Sequence, residues 1–170
     1  MTNLPNIRFA YMYRDASNYK QYGEAIFSNE SHLPLDEIEK QTHSFLKGGE
    51  FFIARQVHLE ECFFDILHDD DHPWHEFVCM EETSDPTFDP ESEHKRDIAE
   101  FQAELEKAHL AGWDEMNVRE DLACQFTKQK RALKQSIESV IHLGSDNEVT
   151  LQSMLSTLRK VRKENHTSKR

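Results

Sequence analysis

The chain has 170 residues, enough for one domain with an appendage and for a buried core. Its formal net charge is −12 at pH 7, with 31% charged and 37% apolar residues, a balance that implies a surface-rich shape and opposes attraction to nucleic acid or an anionic membrane. No apolar run approaches the ~20 residues that span a bilayer, and eleven Phe, four Tyr and two Trp argue against a disordered chain.

Residues 1–6 show neither a basic nor an apolar leader segment, so no signal peptide is expected. Residues 7–13 alternate and are aromatic-rich, which predicts a strand with Tyr11 and Tyr13 on one face and Met12 on the other. Arg14 to Asn18 reads as a turn, because Asp, Ser and Asn can bond their own backbone. Tyr19 to Phe27 then forms the second arm of a hairpin, and Gly23 within it marks a bulge or a close approach. Pro34 suits the first turn of a helix, Asp36 and Glu37 favour its positive end, and Gly48-Gly49 ends it. A third strand is expected over Phe51 to Val57. Residues 59–67 fit either a short helix or a strand. Trp74 to Met80 reads as the last strand.

Pro86 and Pro90 among Thr, Ser and Asp make 84–92 a linker. Beyond it the apolar period becomes helical. Ile98, Phe101, Leu105 and Ala108 define one helix ending near Gly112. Val118 to Ile141 defines a longer one, stopped at Leu143-Gly144. Ser145-Asp146-Asn147-Glu148 resembles a capping box that opens a third. The expected architecture is α+β. A small, mostly antiparallel sheet with one or two helices occupies 1–83, a three-helix extension, either self-packed or laid on the sheet, occupies 93–164, and 165–170 form a frayed tail.

Charge is segregated along the chain. Residues 1–90 carry −12, 91–127 carry −6 and 128–170 carry +6. Between Arg55 and Lys95 there are thirteen carboxylates and no Lys or Arg. Such a field attracts cations or a basic protein surface. The three cysteines, Cys62, Cys79 and Cys124, are widely spaced, as expected of reduced thiols in a cytoplasmic protein.

Three segments resemble a group of small bacterial proteins for which no activity is known. They are Tyr13 to Lys20, Phe52 to Val57 and Asp71 to Phe77, within residues 7–83. The resemblance implies a bacterial cytoplasmic source and carries no site.

Several constellations could carry chemistry. Imidazoles and carboxylates at His68, Asp69, Asp71, His72 and His75 suit a divalent metal, with Glu76 polarising a water. In a strand His72 and His75 point to opposite faces, and neither the HExxH nor the EF-hand pattern is present. The plainer account is a solvated acidic turn. Arg14, Tyr13, Tyr19 and Lys20 could hold an anionic or planar ligand, or could simply brace a turn on an aromatic sheet face. Cys62 lies beside Glu60, Glu61 and Asp65, which raise a thiol pKa and oppose nucleophilic use. The basic end, from Lys128 onward, lacks a reading-helix motif for nucleic acid.

No catalytic motif stands out, and no cofactor is expected. The leading expectation is a non-enzymatic interaction protein, an accessory or regulatory subunit or an inhibitor. It would bind a partner with a basic surface through Glu60, Glu61, Asp69, Asp70, Asp71 and Glu76 and through amphipathic helices. Self-association through the helices is a further expectation. The alternatives are a metal-dependent hydrolase or nuclease at His68–Glu76, and a nucleic-acid mimic that blocks a DNA- or RNA-binding protein.

Overall fold

The computed structural model describes residues 5–64, 70–92 and 95–142. The chain divides into two compact units, Met1–Phe64 with Asp70–Arg119, and Asp65–Asp69 with Glu120–Arg170. The first contains strands β1 (Asn6–Arg14), β2 (Lys20–Phe27), β3 (Phe51–Ile53) and β4 (Trp74–Thr83), and helices α1 (Leu35–Phe45) and α2 (Ile98–Ala111). Helix α3 (Glu115–His142) begins in the first unit and enters the second. The class is α+β, as expected, with an antiparallel sheet in the order β2-β1-β4-β3.

Strict alternation in β1 sets the two faces of the sheet. Ile7, Phe9, Tyr11 and Tyr13 are buried, while Arg8, Ala10, Met12 and Arg14 lie on the other face. Register carries this alternation outward, with Phe9 opposite Ala25 and Met80, and Tyr13 opposite Gln21 and His75. Helix α1 brings Ile38 to the inner face, and Leu46 follows at its end. Helix α2 brings Ile98, Phe101, Leu105 and Ala108. The Phe101 ring stacks on Phe27 at 4.4 Å and meets Phe9 edge-on at 5.0 Å.

Gly23 faces the same core. A Cβ there would lie 2.5 Å from Tyr11 Cζ and 2.6 Å from Cys62 Sγ, so the close approach is real and only glycine fits. The bulge lies instead in β4. Tyr11 pairs with Phe77 and Ala10 with Cys79, which leaves Val78 as the extra residue and exposes both Val78 and Cys79.

The structure refines the expected organisation in three places. The stretch read as a linker packs on the α+β unit, where Phe88 bridges Ile26 and Asp89 is buried, and α2 is laid on the sheet and completes its core. The reason is physical: the inner face of a four-stranded sheet needs more cover than α1 supplies. The third strand is also shorter than expected. After Ile53 the chain makes a single 3-10 turn, Ala54–Val57, then a left-handed residue, His58. This turn delivers the carbonyls of Val57 and His58 to Arg96, at 2.7 and 2.9 Å, rather than to a strand ladder. Finally, α2 opens on a capping box formed by Asp97 and Glu100 that went unpredicted. The box expected at 145–148 and its helix lie outside the described residues.

In the second unit the structure describes 120–142, the polar continuation of α3. Leu133 and Ile137 are exposed there, Lys134 pairs with Glu138 one turn on, and Lys130 lies over the Phe126 ring.

Candidate functional site

Residues 59–64 form neither helix nor strand, so their backbone groups need partners from elsewhere. Side chains from the sheet supply them. The Tyr11 hydroxyl donates to the Glu60 carbonyl at 2.9 Å. The Cys62 N–H donates to His75 Nε2 at 3.0 Å, and the Gln21 amide reaches the Cys62 and Phe63 carbonyls at 3.2 Å. His75 Nδ1 in turn donates to the Pro73 carbonyl at 3.2 Å. Nδ1 therefore carries the proton, and Nε2 offers its lone pair to the backbone.

These bonds decide the fate of the metal cluster. His75 is wholly buried with both ring nitrogens engaged, which removes it as a ligand. Asp71 accepts the Tyr13 hydroxyl at 3.0 Å, and His72 Nδ1 accepts the Trp74 N–H at 3.2 Å. Both imidazoles rest against the Tyr13 ring, at 5.3 and 5.5 Å, because β4 starts only at Trp74 and alternation does not reach back to His72. His68 and Asp69 lie outside the described residues. Among the described residues no group of three or more His, Cys, Asp or Glu is placed to hold a metal ion. Burial, and then the Asp71 charge, keep the Tyr13 phenol protonated above its ordinary range.

The acidic residues separate into two kinds. Glu61 is bound by Arg55 at 2.6 Å and Glu76 by Arg14 through two bonds of 2.9 and 2.8 Å. Their side chains are 4% and 12% exposed, so with Asp71 they brace the fold and do not form an open face. Glu60 and Asp70 are exposed. Further acidic charge lies farther along the chain. Arg8 alone meets Glu24, Glu81 and Asp85, and Glu82 and Glu91 are exposed nearby in sequence.

The Arg14, Tyr13, Tyr19, Lys20 set does not converge. Adjacent strand residues point to opposite faces, so Tyr13 enters the core while Arg14 clasps Glu76 and Asn18 outside. Tyr19 and Lys20 are exposed at the turn and the start of β2. The outer face instead presents a row across all four strands, Tyr22, Met12, Glu76 and Phe51, that residue-type clustering did not suggest. Period-2 alternation was the signal that could have found it.

Cys62 behaves as expected from its neighbours. Burial, and then the Glu60 charge, push its thiol up from 9.0 to about 11. Above pH 9 the unfolded chain releases this proton and the folded chain does not, so stability should fall as pH rises between those values. At pH 8 iodoacetamide should label the exposed Cys79 and Cys124 well before Cys62, read by mass spectrometry of the native protein. Equal labelling rates at Cys62 and Cys79 would contradict this placement.

Comparison with known protein families, with curated proteins and with solved structures yields no match. No helix among the described residues is long and apolar enough to cross a membrane.

Proposed function

We propose that the chain is a non-enzymatic bacterial interaction protein, an accessory or regulatory subunit or an inhibitor, that docks on a basic surface of another protein. The Arg8 cluster supports this most directly. One guanidinium serves three carboxylates, Glu24, Glu81 and Asp85, so negative charge is left unmatched on the surface. The shielded carboxylates, by contrast, have cations of their own: Glu61 has Arg55, Glu76 has Arg14 and Asp89 has Arg96. Arg8 shares its sheet face with the exposed Tyr22. Exposed tyrosine is enriched in protein interfaces, and unmatched acidic charge draws a basic partner.

The test is the double variant Glu81→Gln, Asp85→Asn, which changes two of the three carboxylates on Arg8. The changed side chains are exposed, so the fold should hold. Capture of the partner should drop several-fold against the wild-type chain. Undiminished capture would mean that this acidic surface is not the contact.

A further inference from the structure

Strand β2 is an edge strand, and its outward backbone groups can be identified. Ile26 donates its N–H to the Phe88 carbonyl at 2.7 Å and accepts from the Phe88 N–H at 2.9 Å. Phe88 lies on the side of β2 away from β1, so both backbone groups of Ile26 point outward. In an antiparallel strand this direction alternates, so Lys20, Tyr22 and Glu24 also point theirs outward. Phe88 is the one residue bridged to that edge among the described residues, and Pro90 lacks the N–H needed to extend the bridge. Among the described residues nothing else bridges the edge from Lys20 to Glu24, whose outward donors and acceptors are without a strand partner.

The side chains of the same three residues lie on the outer face and are exposed, Tyr22 at 69%. Their order, cation, aromatic, anion, is self-complementary in an antiparallel pairing. A two-fold axis at Tyr22 sets Lys20 of one copy opposite Glu24 of the other, and Glu24 opposite Lys20. The two Tyr22 rings meet at the centre. Backbone and side chains agree on this register. Tyr22 has the outward N–H and C=O that a hydrogen-bonded pair on the axis requires, and so do Lys20 and Glu24 on either side. Opposite charges and aromatic rings directly across an antiparallel ladder are the stabilising cross-strand pairs.

We infer that two copies of this chain join edge to edge through β2, with Lys20, Tyr22 and Glu24 paired about a two-fold axis. The four-stranded sheets then become one sheet of eight strands. The contact is isologous and uses the sheet edge, not the amphipathic helices. It shares Tyr22 and Glu24 with the acidic surface of the proposed function, and replacing Glu81 and Asp85, which leaves both residues unchanged, separates the two contacts.

Sedimentation of the full chain over a range of concentrations tests it. The wild type should associate from 20.0 kDa to twice that mass. Lys20→Glu places like charges opposite each other in both pairs and should weaken the dimer about tenfold, as should Glu24→Lys. The double exchange, Lys20→Glu with Glu24→Lys, restores opposite charges and should return the constant to within about threefold of the wild type. Both exchanged side chains are exposed, Glu24 lying 3.3 Å from Arg8 of its own chain, and circular dichroism checks that each variant folds. A wild-type chain that stays monomeric at every concentration overturns the inference. So does a dimer that neither single exchange weakens, or one that the double exchange fails to rescue.

Discussion

Replacing Arg96 by methionine is expected to destabilise the protein by about 3–5 kcal/mol. Arg96 is 1% exposed. It holds the Asp89 carboxylate through Nε and Nη2, both at 2.8 Å, and the carbonyls of Val57 and His58 at 2.7 and 2.9 Å. It also bonds Glu104, and the rings of Phe27 and Phe101 lie 5.4 Å from its guanidinium carbon. Methionine fills part of the volume but leaves a fully buried carboxylate without a cation and two carbonyls without donors. Urea denaturation should show a lower midpoint, and adding Asp89→Leu should recover part of the loss. A cost below about 1 kcal/mol would contradict the placement of Arg96.

Phe101→Ala is expected to cost about 3–5 kcal/mol, the range for removing a large buried aromatic. Its ring stacks on Phe27 and meets Phe9, so α2 and the sheet share one core. Were α2 an independent extension, the change would stay within about 0.5 kcal/mol, as at an ordinary surface position. Thermal unfolding followed by circular dichroism separates the outcomes. A lower midpoint for the sheet and α2 together places Phe101 in the common core.

Much of the fold was legible because local patterns controlled it. Alternation from Ile7 to Tyr13, the Asp-Ser-Asn turn, Pro34 and Gly48-Gly49 each act within a few residues, and the hairpin and α1 followed from them. The same alternation separates Tyr13 from Arg14. Applied consistently, it would have withdrawn that ligand set and proposed the outer row instead. Other features depend on distant partners. Phe51 to Val57 was read as one strand, yet the ladder ends at Ile53, where a 3-10 turn carries the chain to the Val57 and His58 carbonyls that Arg96, some 40 residues on, binds. Proline and polar residues made 84–92 look like a linker, while Asp89 and Phe88 tie that stretch to Arg96 and to the β2 edge. The acidic run gave the sign of the field but not its use. Only the structure separates Glu61, Asp71 and Glu76, which brace the fold, from Glu60, Asp70 and Glu82, which are exposed.

The proposal that this chain binds a basic protein surface is tested most directly by capture from a bacterial lysate on the immobilised full chain. Retained proteins would be quantified by mass spectrometry at low and at moderate salt. One protein with a basic surface, held in near-equal amount at low salt and released at moderate salt, is the predicted result. The absence of a stoichiometric partner, or a partner whose retention salt leaves unchanged, would contradict the account.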